Sequence, residues 1–532
     1  MKGLRPILCG LLVMGIAACG SGGGGSVSNT APVISSVSPV SAPVGSAGFI
    51  LTITGANFDS SSIVDFNGDQ LNTIFVSTQQ LQAKVDATDL TIGGEVSVVA
   101  YNQNDSSLSN SVQFTIVNPA PTINRIDPFS APTGSPALTF MVNGNGFVPG
   151  SIVLWNGEAL PTTYDGSALL QALLSATDVS NLGTFSVAVE NPSPGGGDSS
   201  ALTFQVFSYN QVNETAQDIV WDPQHQLIYL SVPSTATTNP NTITAVDPFT
   251  NTIVASQATG TDPNVLAISD SGQYLYAGID GTASVQRFVL PSLQLDISYT
   301  LGSGTYGPYV ATDLQVAPND ATTAAVSLGY TMGFPRAAGG IKIYDNAVPR
   351  PTGTPTYATS GDIYDSLQWG ADANTLYAGD NESSGFDLYV LSVNSSGVTL
   401  SHDYPNGLDG SDLTGYRARI HYDHSTAFIY SDNGWVVNPG TGTLVGKFVI
   451  GSFGGVMTID SSLDRAYFVC QLGAGGYVIE SFNLTQFTPV NIVSVPQING
   501  TPERLIRWGS DGLALVDSTG SVYLTSGPFV TE

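Results

Sequence analysis

Ile219-Val-Trp-Asp-Pro-Gln-His-Gln-Leu-Ile-Tyr229 reads as an apolar run, a polar turn and a second apolar run ending in tyrosine, the pattern of two short strands joined by a hairpin. It returns as Leu266-Ala-Ile-Ser-Asp-Ser-Gly-Gln-Tyr-Leu-Tyr276, Leu367-Gln-Trp-Gly-Ala-Asp-Ala-Asn-Thr-Leu-Tyr377, Ile420-His-Tyr-Asp-His-Ser-Thr-Ala-Phe-Ile-Tyr430 and Met457-Thr-Ile-Asp-Ser-Ser-Leu-Asp-Arg-Ala-Tyr467. Two looser copies are Leu314-Gln-Val-Ala-Pro-Asn-Asp320 and Ile506-Arg-Trp-Gly-Ser-Asp-Gly-Leu-Ala-Leu515. The copies recur about every 48 residues. Several short strands per unit at that period are the sign of propeller blades. Residues 208–532 are therefore expected to form a β-propeller, and seven copies point to seven blades.

The seventh copy supplies strand-like runs at 504–508, 513–517 and 521–525, one fewer than a blade needs. The run Gln205-Val-Phe-Ser-Tyr-Asn-Gln-Val212 is not required by the first blade. A strand drawn from about 205–214 is expected to complete the seventh blade and close the ring. Between apolar flanks, the first strand of each copy carries Val220, Ala267, Gln315, Gln368, His421, Thr458 and Arg507. One account has these polar groups bonding channel water and neighbouring blades. The sharper account makes Gln315, Gln368, His421 and Arg507 the ligand-binding residues of a channel-mouth pocket for a polar molecule such as a sugar.

Residues 31–207 repeat at an offset of 89: Pro39 maps to Pro128, Gly55 to Gly144, Phe58 to Phe147 and Asn67-Gly68 to Asn156-Gly157. Short alternating strands and Asn-Gly hairpin signals in each unit imply two sandwiches, at 31–117 and 118–207. The motif Ser38-Pro39…Gly45…Gly55-Ala-Asn57-Phe58…Phe66-Asn67-Gly68, with its second version Asp127-Pro128…Gly134…Gly144-Asn-Gly146-Phe147…Trp155-Asn156-Gly157, resembles the IPT/TIG domain. The resemblance implies an immunoglobulin-like fold serving as a spacer or interaction module. The C-terminal repeat resembles, loosely, bacterial surface propellers related to lactonase-like folds. The expected fold class is all-β: two tandem immunoglobulin-like sandwiches followed by a propeller.

The chain begins with Lys2 and Arg5, then an apolar stretch from Ile7 to Ala18. It is shorter than the ~20 residues of a spanning helix and reads as a signal peptide, residues 1–18. Its end, Ile16-Ala17-Ala18-Cys19, resembles the lipobox of bacterial lipoproteins. That resemblance implies cleavage before Cys19 and lipidation of its thiol. Gly20 at the next position lacks the Asp associated with inner-membrane retention, which implies the outer membrane and the cell surface. Residues 19–30 are then the lipidated Cys and a flexible Gly/Ser tether. With Cys19 acylated and Cys9 removed, Cys470 has no partner, and its place in Ala466-Tyr-Phe-Val-Cys470 reads as a buried, inert thiol.

The formal net charge is −28, and loss of Lys2 and Arg5 with the signal makes it more negative. Such a chain repels phosphate backbones, so no nucleic-acid partner is expected. No nucleophile-elbow, Walker, His-Glu-x-x-His or EF-hand motif is present. The four histidines include one cluster, His421-Tyr-Asp423-His424, whose members need not face one way on a strand and turn. Asp380-Asn-Glu382…Asp387 and Asp409-Gly-Ser-Asp412 hold oxygen ligands suited to calcium and are read as solvated loops. No catalytic residue, metal or cofactor is assigned. The sequence favours a non-enzymatic surface lipoprotein, with the sandwiches presenting a propeller that binds a glycan, peptide or protein. A polysaccharide-capture protein and a lactonase-like propeller hydrolase or lyase are the alternatives. Cys19→Ala is expected to abolish lipid labelling and release the protein from membranes; unchanged partitioning of that variant overturns the anchor.

Overall fold

The computed structural model describes residues 30–331, 336–382, 386–405, 418–451, 455–472, 476–496 and 498–532. The signal segment, Cys19, Asp409 and Asp412 lie outside them. Among the described residues no helix is long and apolar enough to cross a membrane.

In the first sandwich one sheet runs Val33–Ser38, Phe49–Ala56, Gln80–Val85, Asn72–Ser77. The other runs Ser41–Pro43, Val112–Val117, Gly94–Asn102, Ser62–Phe66, Asp69–Gln70. Side chains alternate across each strand: Leu51 and Ile53 enter the core with Leu81, Ala83 and Val85, while Ile50, next to Leu51, is exposed. The second copy repeats the plan with Thr122–Asp127, Leu138–Asn145, Leu169–Leu174 and Thr162–Gly166. The repeated motif has a steric cause. A β-carbon on Gly55 would strike the Val33 carbonyl oxygen and the Phe58 ring, and one on Gly144 would strike Thr122 and Phe147 in the same way. Both Asn-Gly pairs adopt positive φ at each residue (56° and 97°; 50° and 87°), as a tight type I′ hairpin requires. Trp155 lies in the second core, stacked on Phe185 at 4.6 Å.

Six four-stranded antiparallel meanders follow among the described residues, spanning 218–258, 263–300, 310–349, 366–404, 420–447 and 455–495. A seventh sheet holds Pro502–Trp508, Gly512–Asp517 and Ser521–Ser526. The first strand of each sheet contacts the first strand of the next, and Pro502–Trp508 contacts Asp218–Asp222, so the inner strands form a ring. This is a β-propeller. The third copy, loose in sequence, forms the same hairpin from Val310–Val316 and Thr323–Gly329. Apolar cores lie between neighbouring blades: Val220, Tyr229 and Ile243 of the first pack on Leu266 and Leu275 of the second. The tyrosine that ends each clear copy fills these interfaces; Tyr229, Tyr276, Tyr430 and Tyr467 are all fully buried.

The seventh blade takes its outer strand from far upstream. In the single strand Leu202–Thr215, residues 202–206 pair with 183–187 of the second sandwich. Residues 208–211 of the same strand pair with 523–526, and after a bulge Thr215 pairs with Ser521. The closing strand expected at about 205–214 is thus present, and it also belongs to the sandwich. Val212 and Ala216 enter the core between the seventh and first blades. Phe207, fully buried, meets the Phe529 ring edge-on at 5.7 Å. Thr525 Oγ1 donates to the Ser208 carbonyl at 2.7 Å, and the Ser494 N–H donates to Ser130 Oγ at 2.8 Å.

Second sandwich and propeller should therefore unfold as one body. Phe207→Ala is expected to cost about 3–5 kcal/mol. Single-tryptophan variants retaining Trp155 or Trp369 should report coincident urea midpoints that fall together in that background. Separate midpoints would show the two folds to be independent.

Candidate functional site

Each inner strand is a sheet edge whose outward N–H groups need partners. Side chains at one end of the ring supply them. Asp218 accepts from Ile219 N–H (2.9 Å) and from Leu266 N–H of the second blade (3.0 Å). Asp313 accepts from Leu314 N–H (2.8 Å) and from Leu367 N–H of the fourth blade (2.7 Å). Ser366 Oγ accepts from Ile420 N–H at 3.1 Å, and Asp432 Oδ1 from Met457 N–H at 3.0 Å. Arg504 Nε stands 3.3 Å from Asp218 Oδ1 and links the seventh blade to the first. Burial raises the carboxyls of Asp218 and Asp313 above their ordinary values, against the pull of Arg419 on both; Asp313 is pushed up to about 6.

Inner strands begin and second strands end at this same end of the ring. Here a cleft of about 530 Å³ opens between loops of the first three blades. Gln217, Asp262, Asn264, Asp280, Thr331 and Arg336 line it. Arg336 Nη2 donates to Asp280 Oδ2 at 2.9 Å, and Asn264 Nδ2 reaches the same oxygen at 3.4 Å. Burial raises the Asp280 carboxyl, Arg336 opposes this, and neighbouring Asp262 adds to the rise. Ser234 N–H donates to Asp262 Oδ1 at 2.9 Å. Beside the cleft, Arg336 N–H donates to Glu382 Oε2 at 2.6 Å, and Asp365 Oδ2 accepts from the Asn381 and Glu382 N–H groups. Burial, followed by the Glu382 charge, lifts the Asp365 carboxyl well above the usual range. Among the described residues no group of three or more His, Cys, Asp or Glu is arranged to hold a metal ion.

The residues singled out in the sequence do not converge on this cleft. Inner-strand side chains alternate between the preceding and the following blade rather than toward and away from the axis. Leu314 and Val316 pack toward the second blade, which turns Gln315 toward the fourth; Leu367 and Trp369 pack toward the third, which turns Gln368 toward the fifth. His421 Nε2 lies 2.9 Å from Asp432 Oδ1, near the mouth.

Arg507 departs further. The hairpin from Ile506 to Leu515 is one residue shorter than that from Ile219 to Tyr229, and a one-residue slip reverses every side chain. Leu505 therefore packs on the sixth blade and Trp508 on the first, so Arg507 is not the counterpart of His421. It sits at the opposite, hairpin end. Its Nε and Nη2 donate to Asp460 Oδ2 at 3.0 and 2.9 Å, and its remaining donors reach the Trp508, Ser510 and Gly512 carbonyls. Such an arginine, 12% exposed, holds the turn together. Asp222, Asp423 and Asp460 cap the turns at that end through backbone N–H groups. Cys470 is buried and its thiol is pushed up to about 11 by burial, as befits an inert packing residue.

Residues 32–116 match the IPT/TIG domain family. No curated protein matches the chain. Among solved structures, Kuenenia stuttgartiensis hydrazine synthase is similar at 13% identity, over 60% of this chain and 97% of that one, with a TM-score of 0.44. The β-propeller domain of Myceliophteria thermophila Cps50 (Swd1) is similar at 10% identity, over 59% and 98%, with a TM-score of 0.45. The second IPT/TIG-like copy rests on the 89-residue repeat and on sheets that reproduce those of the first.

Asp313 gives a pH prediction. Its carboxyl binds a proton more readily in the folded state than in the unfolded chain, so its contribution to stability falls as pH rises from about 4 to about 6. Asp313→Asn should flatten that part of the stability profile, measured by urea midpoints at pH 4.5 and 6.5. Asp313→Ala, which leaves Leu314 and Leu367 N–H groups without their acceptor, should cost about 1–3 kcal/mol.

Proposed function

We propose that this is a non-enzymatic binding protein of the cell surface, lipid-anchored through Cys19, in which the sandwiches carry a propeller that engages its ligand at the ring mouth. The observation that carries this reading is the 530 Å³ cleft. Its size lies within the ~300–1,000 Å³ of small-molecule sites, and convergent polar side chains from three blades line it. At the mouth, blade-to-blade hydrogen bonds run through Asp218, Asp313, Ser366 and Asp432. A binding surface on such a frame loses little entropy when a ligand arrives. The strand shared with the second sandwich supports a presenting role, because it joins stalk and propeller without a linker.

The test is a screen of immobilised full-length protein against glycans and peptides, run beside assays of lactone and ester hydrolysis. Saturable binding that Thr331→Trp, a bulky group in the cleft wall, abolishes without a change in melting temperature is the expected result. Turnover of any substrate, lost in His421→Ala, would make the protein an enzyme. Binding indifferent to Thr331→Trp would remove the ligand from the mouth.

A further inference from the structure

We infer that the cleft takes a neutral polyhydroxylated ligand, a saccharide unit, whose adjacent hydroxyl groups are held by Asp280 and Arg336. This rests on the mouth being the binding end. The cleft's charges are already answered within the protein: Arg336 faces Asp280, and Asp262 accepts the Ser234 N–H. An anionic ligand would meet both carboxylates, and a cationic one would meet the guanidinium, 42% exposed. Gln217, Asn264 and Thr331 add neutral donors and acceptors to the same wall. These side chains recognise a ligand through hydrogen bonds.

The ion pair itself is incomplete. Only Nη2 and Oδ2 meet; Asp280 Oδ1 and Arg336 Nε are buried and reach no hydrogen-bond partner among the described residues. Buried donors and acceptors left unmatched are costly, and a group that satisfies both is favoured. A hydroxyl donates and accepts at once, so two neighbouring hydroxyls fit the pair: one donates to Oδ1 and the other accepts from Nε. Turning the half-exposed guanidinium presents both atoms to the cleft, and the ligand then completes what the pair leaves open.

The experiment uses the full chain on an array of neutral oligosaccharides with matched uronate and amino-sugar versions, followed by calorimetry with the best neutral binder and its single-deoxy derivatives. A neutral saccharide is expected to bind. Removal of one hydroxyl of the recognised pair, Asp280→Asn, or Arg336→Gln should each weaken binding about tenfold or more, with the melting temperature of Arg336→Gln unchanged. The deoxy series needs no altered protein, so a variant that fails to fold does not obscure the outcome. Binding only of uronates or only of amino sugars, binding indifferent to both variants, or no binding on the whole array overturns the inference. In the last case a peptide or other ligand lost in Thr331→Trp leaves the mouth as the binding end and removes only the saccharide. A saccharide bound equally by Thr331→Trp removes both.

Discussion

The strand Leu202–Thr215 governs the architecture. Its first half completes a sandwich sheet and its second half completes a propeller blade, within one continuous strand. Each fold would otherwise expose a sheet edge, and exposed edges recruit unwanted partners. Sharing one strand covers both edges and fixes the orientation of one fold on the other. Phe207, at the change of partner, is buried against the C-terminal turn through Phe529, so side-chain packing reinforces the same joint.

Inside the ring, apolar and polar residues divide the labour by position. Cores lie between blades, where the repeated tyrosines and aliphatic residues bury area. Carboxylates at the beginnings of two inner strands, Asp218 and Asp313, tie the first blade to the second and the third to the fourth through backbone N–H groups. A buried carboxylate is expensive unless it is hydrogen-bonded, and these accept two or more bonds each. The raised carboxyl of Asp313 measures how incompletely Arg419 offsets that burial. Acids at the hairpin end are exposed to more donors, and those of Asp423 and Asp460 lie below their ordinary value because hydroxyl groups, and for Asp460 the arginine at 507, favour the charge over the cost of burial.

Much of the fold was legible because it repeats. Glycines 55 and 144, with Phe58 and Phe147, mark one steric solution used twice, and the terminal tyrosines mark blade interfaces. The closing strand was legible by subtraction, since the seventh copy lacked a strand and 205–212 had one to spare. The mouth was not. The residues preceding the repeat's first apolar position read Asp218, Val265, Asp313, Ser366, Arg419, Val456 and Leu505, with no shared chemistry to reveal a layer. The cleft draws on residues between 217 and 336 from loops of three blades, a grouping that only the ring creates. Arg507 stood out as a cation at an aligned position, and one missing turn residue undid the alignment.

The shared strand also sets an order of events. Ser208 and Ser526, whose side chains meet at 2.8 Å, are 318 residues apart. A chain emerging amino end first exposes the receiving edge long before its partner exists. Contacts so distant in sequence form late, because the intervening loop must first be gathered in. Until then the second sandwich carries a loose trailing half-strand, and six blades stand as an open arc with a bare edge at each end. The molecule is thus most exposed to misassociation just before it is finished, and the final few dozen residues act as the latch that ends that interval.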